Sequence, residues 1–197
     1  MAIEFEFRRH SIRDGAANGE MIGPRGYRLG RMVGERQLRG KKFSHFFVSR
    51  LYRTHQTLAA FAEGAGDFSL AFAPMLAPPC IVSPDRNELW LACLEAQAKG
   101  QGKVESVSYN RAEIDEKIGS LMANLFKVWS DSFADGSRVL VIGHYPAIEL
   151  LLSGVVTDQK IPSLGSCEGF RIIKKDDDYE VVYGTSEFTT RELMELL

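Results

Sequence analysis

Val139-Leu140-Val141-Ile142-Gly143-His144 is a short, continuous apolar run closed by a glycine and a histidine. A charge-free run of this length reads as a strand buried on both faces, as in a parallel sheet. Near the other end of the chain, Ile3-Glu4-Phe5-Glu6-Phe7 alternates apolar and charged residues and reads as a strand that stops at Arg9-His10. In open parallel sheets, ligands bind just beyond the carboxyl ends of the strands. Two histidines at two such ends, one beside an arginine, point to chemistry on an anion. One tension is built in: strict alternation suits a half-exposed strand better than a central one.

Working outward, Asp14-Gly15, Asn18-Gly19 and Gly23-Pro24 make residues 11–23 a loop. Pro24 suits the first turn of a helix running to about Leu38. Phe43 to Val48 reads as a strand, and a helix follows with Ser49 as its N-cap and Gly64 and Gly66 at its end. Leu70 to Met75 is a weaker strand, and Pro74, Pro78, Pro79 and Pro84 mark an irregular connection. Residues 86–99 and 110–130 read as helices. In the second, Asn110 and Glu113 resemble a capping box, and Ile114, Ile118, Leu121, Met122, Leu125 and Trp129 form a stripe expected to face the core. A helix from about Pro146 to Leu152, a hairpin of 170–174 with 180–183 around Asp176-Asp177-Asp178, and a short terminal helix complete the chain. Strands alternating with helices imply an α/β fold: a three-layer α/β/α sandwich with a mainly parallel sheet. Residues 1–197 read as one domain.

Composition narrows the function. The net charge of −2 hides a polarity, because residues 1–53 hold twelve Lys and Arg against five Asp and Glu. A basic N-terminal third favours an anionic substrate. Most of this charge reads as a solvated helix face, with Arg25, Arg28, Arg36, Arg39 and Lys42 near helical spacing. No basic cluster is interleaved with aromatic platforms, so nucleic acid is not an expected partner. No apolar stretch is long enough to span a bilayer, and the N-terminus lacks the layout of a signal peptide. Cys80, Cys93 and Cys167 are widely spaced and read as free thiols in a reducing compartment. The expectation is a cytoplasmic protein.

A third segment, Ser49-Arg50-Leu51-Tyr52-Arg53-Thr54-His55-Gln56-Thr57, again sits where a strand ends and a helix begins. Arg53 in the first turn opposes the helix dipole, a placement that a bound anion would offset. Arg9-His10-Ser11 resembles the Arg-His-Gly signature of the histidine phosphatase superfamily, the phosphoglycerate-mutase-like proteins. The segment 49–57 is similar to that family's Ser-Pro-Leu-x-Arg-Thr-x-Gln-Thr. Val139 to His144 is similar to its late strand ending in a second histidine, and Gly23-Pro24-Arg25-Gly26 to the Thr-Pro-x-Gly that opens its first helix. The four matches come in the family's order and span residues 9 to 144.

The resemblance implies that His10 is the nucleophile and forms a phosphohistidine. Arg9 and Arg53 would clamp the phosphoryl oxygens, and His144 would hydrogen-bond the group in transfer. These residue types suit the task. A neutral imidazole offers a lone pair, and a guanidinium is an always-charged planar fork for phosphate oxygens. No metal or other cofactor enters this scheme. The family's leaving-group acid falls after the third strand, where Glu88 is the first candidate and Asp85 the second; the same two residues also make a capping box. The family's first-loop asparagine has no match at its usual offset, leaving Arg13 and Asn18 as substrate-binding candidates. Ser11 replaces a glycine and Arg50 a proline. The implied activity is hydrolysis of a phosphomonoester on a small molecule or phosphoprotein. A non-catalytic phosphate-binding regulator and a mutase-type phosphotransferase are the alternatives. His45 and His55 read as structural and helix-surface residues. Gly165-Ser166-Cys167-Glu168-Gly169 mimics a nucleophile elbow but is followed by a strand, where an elbow needs a helix.

Overall fold

The computed structural model describes residues 2–13, 20–67, 74–78, 120–145, 147–156, 164–183 and 190–195. Its elements are β1 (Ile3–Arg9), α1 (Pro24–Val33), β2 (His45–Val48), α2 (Tyr52–Ala65), β3 (Met75–Leu76), α3 (Ser120–Ser130), β4 (Arg138–Gly143), α4 (Ala147–Val155), β5 (Gly169–Lys175), β6 (Asp178–Tyr183) and α5 (Thr190–Glu195). A π-helical turn, Gly34–Leu38, extends α1. The sheet order is β3-β2-β4-β1-β5-β6. β1 to β4 pair in parallel, and β5 and β6 are antiparallel additions at one side. Helices cover both faces. Phe5, Phe7, Val139 and Val141 pack with Met122 and Phe126 of α3 and Ile148 and Leu151 of α4. On the other face Leu140, Ile142 and Val48 pack with Leu29 and Val33 of α1, Leu58 and Phe61 of α2, and Leu193 of α5. The three-layer α/β/α architecture is the expected one.

Register decides where the chemistry lies. Arg9 pairs with Gly143 across β1 and β4, and Val48 pairs with Ile142 across β2 and β4. His10, His144 and Ser49 therefore leave three strands at one end of the sheet.

β1 corrects its sequence reading. It lies between β4 and β5, and Glu6 and Arg8 are buried, not half-exposed. Their charges are paired: Arg8 donates to Glu6 Oε1 through Nε at 2.8 Å and Nη2 at 2.5 Å, and Lys41 Nζ lies 2.8 Å from Glu6 Oε2. Arg8 Nη1 also donates to Gln37 Oε1 and to the Cys167 carbonyl. Burial alone would raise the Glu6 carboxyl; the Arg8 and Lys41 cations outweigh it and hold the group below its ordinary value.

α3 carries a second correction. Met122 and Phe126 face the core with Trp129 partly buried against it, but Leu121 and Leu125 are 57% and 38% exposed. A helix in an outer layer buries one face, and this apolar arc is wider than that face. β2 begins at His45, two residues later than expected. Of the strand expected at 70–75, the described part is Met75, which pairs together with Leu76. The helix expected at 86–99 and the first part of that at 110–130 lie outside the described residues.

α1 and α2 cross at glycines. A Cβ on Gly64 would run into the backbone carbonyl of Arg31. Backbone cannot swing aside as a flexible side chain can, so Gly64→Ala is expected to destabilise the fold by about 2–4 kcal/mol. Chemical denaturation with an unchanged m-value checks this.

Candidate active site

His10 follows β1 directly, and its backbone N–H bonds the Gly143 carbonyl at 3.0 Å, which ties the two histidine-bearing segments together. Ser11, the residue standing for a glycine, is buried and fully engaged. Its N–H donates to Thr57 Oγ1 at 3.0 Å, and its hydroxyl to the Gly26 carbonyl at 2.6 Å. Serine is thus accommodated by contacts to α1 and α2.

The two imidazoles lie 5.0 Å apart, centroid to centroid, at 52°. The partner of His10 fixes its tautomer. His10 Nδ1 lies 2.7 Å from the Ser11 carbonyl, which can only accept, so Nδ1 carries the proton and Nε2 the lone pair. His144 Nε2 lies 2.5 Å from Ser49 Oγ. That oxygen already accepts the Leu51 N–H at 3.1 Å, and Thr54 gives its own hydroxyl proton to the Leu51 carbonyl at 2.8 Å. With Ser49 donating to His144 Nε2, the His144 proton lies on Nδ1; with Ser49 donating to Thr54 Oγ1 at 3.2 Å instead, it lies on Nε2. Nδ1 is buried and has no partner among the described residues. His10 thus presents a nucleophilic nitrogen, and in the first arrangement His144 presents a spare donor.

Three arginines act on the rings: Arg53, Arg9 and Arg13 each press on the charge of both histidines. Arg9 Nη1 donates to the Leu164 carbonyl at 2.6 Å, and its guanidinium sits 5.4 Å from the centre of the Tyr145 ring; its Nε is buried without a partner among the described residues. Arg53 is held below its ordinary value by burial and then by Arg13, against the pull of Glu20. Burial, with the arginines adding to it, pulls His10 down to about 3 despite the Ser11 carbonyl. Burial pulls His144 to about 2, helped by His10 and the same arginines. Both rings are neutral at pH 7, as a nucleophile and a neutral donor require.

The sign for stability follows. An unfolded histidine binds a proton near pH 6.5 and these folded ones do not, so stability is lost as pH falls from about 6.5 toward 3. At pH 5 the loss approaches about 2 kcal/mol per ring. Glu149, raised to about 7 by burial, works in the opposite direction over part of that range, so two groups oppose one. Thermal denaturation between pH 7 and 5 should show a falling midpoint, with a shallower fall in His10→Asn.

The structure brings together Arg9, His10, Arg53 and His144, with Arg13 joining through its charge while its backbone bridges Ile22. Asn18, Asp85 and Glu88 lie outside the described residues. Ser49 is not the N-cap of α2; Leu51 is, and the Ser49 hydroxyl serves Leu51 N–H and His144 instead. His45 packs on Phe133 at 5.1 Å. His55 lies on α2 and is partly buried. Cys167 is fully buried in the turn before β5, with φ 62° and a thiol that burial pushes up to about 12, so it is no nucleophile. The contacts of Ser49 with His144 and of Thr57 with Ser11, and the burial of Glu149 on α4, are features that sequence reasoning missed. For Glu149 a signal existed: it is a lone carboxylate in the otherwise apolar run Ala147 to Leu152.

No protein-family model and no curated protein matches the chain. Solved structures do. Phosphoglycerate mutase from Bacillus anthracis str. Sterne is 13% identical, with 97% of this chain and 96% of that one covered and a TM-score of 0.68. The protein histidine phosphatase SixA, complexed with tungstate, is 16% identical, covering 94% and 97% at a TM-score of 0.59. A phosphoserine phosphatase from Entamoeba histolytica, in complex with phosphoserine, is 12% identical, covering 97% and 99% at 0.59. At such identities the likeness is one of fold: the chain has a phosphoglycerate-mutase-like fold. Among the described residues, no helix is long and apolar enough to cross a membrane.

Proposed function

We propose that this protein is a phosphatase that hydrolyses a phosphomonoester through a phosphohistidine on His10, without a metal. The observation that carries this reading is the pair of neutral imidazoles 5.0 Å apart, with a free Nε2 lone pair on His10, within the charge of three arginines. Phosphoryl transfer needs chiefly positioning and charge stabilisation, and such a site supplies both. The His10 Nε2 lone pair forms a bond to phosphorus as the ester P–O bond opposite it breaks. Arg9 and Arg53 hold the non-bridging oxygens, with Arg13 adding charge, and His144 Nδ1–H donates to one of them. The Nδ1–H bond to the Ser11 carbonyl steadies the positive charge that the ring acquires. The departing oxygen takes its proton from Glu88 or Asp85, and water then breaks the N–P bond and returns the ring to neutral. The fold neighbours described as a protein histidine phosphatase and a phosphoserine phosphatase support hydrolysis. The substrate is a phosphorylated small molecule or a phosphoprotein.

The experiment is a comparison of an aryl with an alkyl phosphate monoester. Turnover of both, with release to water, is the expected result. Turnover of the aryl ester alone would mean that no side chain acts as the acid, since an aryl oxide leaves unaided. Turnover of neither, with oxyanion binding retained, would make the protein a phosphate-binding module. Transfer to a sugar-phosphate hydroxyl in preference to water would make it a mutase. With His10 titrating near 3, kcat/KM corrected for substrate ionisation should not decline through His10 protonation between pH 7 and 5.

A further inference from the structure

Glu149 has no place in the chemistry above, yet it lies in the first turn of α4, five positions beyond His144. It is 8% exposed, and among the described residues neither carboxyl oxygen closes a regular hydrogen bond. Two backbone amides, its own and that of Leu164, favour its charged form. Leu164 is the link to the clamp, because its carbonyl accepts from Arg9 Nη1 at 2.6 Å. Arg9 and Glu149 thus meet on the N–H and C=O sides of one residue, and Arg9 is the cation whose charge reaches the carboxyl. A buried carboxylate with no cation bonded to it among the described residues is costly, and groups so perturbed cluster at functional sites.

We propose that Glu149 is a positioning residue for Arg9, and that its protonation state sets how fully the guanidinium is offered to the bound phosphoryl group. This rests on the oxyanion clamp proposed above. A neutral carboxylic acid leaves the Arg9 charge to the anion. A carboxylate draws on that charge and adds a negative charge behind the anion, so binding weakens. Burial raises the Glu149 carboxyl to about 7, which places the change at neutral pH. The other charged groups on packed elements are engaged elsewhere. On β1, Glu4 pairs with Arg138 and Arg171, and Glu6 with Arg8 and Lys41. On the described part of α3, Lys127 pairs with Asp177. Tyr145 packs against the Arg9 guanidinium itself. His10 and His144 titrate far below this range.

The test is sulfate binding, because sulfate is a dianion throughout the range and does not itself titrate. Calorimetry on the full chain should give an affinity about tenfold weaker at pH 8.5 than at pH 6. In Glu149→Gln most of that dependence should vanish, and the variant at pH 8.5 should bind as tightly as the wild type at pH 6. Sulfate binding by the wild type at pH 7 should also take up protons, seen as a buffer-dependent heat. Wild-type binding with no proton uptake, or a pH dependence unchanged in Glu149→Gln, would overturn the inference while leaving the clamp standing. No sulfate binding at any pH would overturn the clamp and the inference with it. The proton-uptake measurement decides the matter even if the variant does not fold.

Discussion

His10→Ala abolishes turnover of an aryl phosphate and leaves no phosphoryl label on the protein; this is the largest effect expected of any single substitution. The loss is large because, in the proposed mechanism, the residue forms and breaks the bond to phosphorus. The remaining groups can still bind and polarise the phosphoryl group, so residual activity reflects water attack on a bound ester. The folded state should survive. The ring makes one side-chain hydrogen bond, to Ser11, while the backbone bond from His10 N–H to Gly143 is independent of the side chain. Removing a buried imidazole also relieves the cost of keeping it unprotonated at mildly acid pH. Rapid-quench kinetics with a mass measurement checks both turnover and label. A label of wild-type size in His10→Ala would end the assignment.

Arg53→Ala is expected to have the second-largest effect, lowering kcat/KM by about 10²–10³-fold. Arg53 stands in the first turn of α2, where the helix dipole disfavours a cation, and it is crowded by Arg13 and Arg9. A cation in that position is unfavourable until a dianion arrives, so its contribution is concentrated in the bound and transition states. The loss should therefore appear in both KM and kcat. Arg53→Lys should recover only part of it, because an ammonium keeps the charge but not the planar fork. Full recovery by lysine would mean that charge alone matters there. Steady-state kinetics on the three proteins, with oxyanion affinity measured alongside, separates the two contributions.

The parts of this molecule that could be read from the chain are those governed by local rules. An uncharged run ending in Gly143-His144 has few structural solutions, and its placement in the middle of the sheet follows from that. Arg9-His10 and the 49–57 segment were legible because strand ends in a parallel sheet converge on one edge. The rest depended on partners distant in sequence. The alternation in β1 gave no sign that Glu6 and Arg8 would pair in the interior, with Lys41 joining Glu6 and Gln37 accepting from Arg8. Ser49 looked like a helix cap because capping and bridging a histidine call for the same hydroxyl. The stripe on α3 showed an apolar arc, but how much of the arc a neighbouring layer covers is a property of the packing. Glu149 stands out only as a carboxylate in an apolar stretch, and its proposed tie to Arg9 runs through Leu164, from a segment that local pattern does not connect to α4.

The most direct measurement is the position of the phosphoryl group on the trapped enzyme. Protein labelled with ¹⁵N in its histidines, quenched during turnover of an aryl phosphate and kept alkaline, can be read by phosphorus–nitrogen coupling. Because Nδ1 of His10 is committed to the Ser11 carbonyl, the expected result is one phosphorus bonded to Nε2 of His10. Phosphorus on Nδ1 of that ring, on His144, or on an oxygen nucleophile would contradict it.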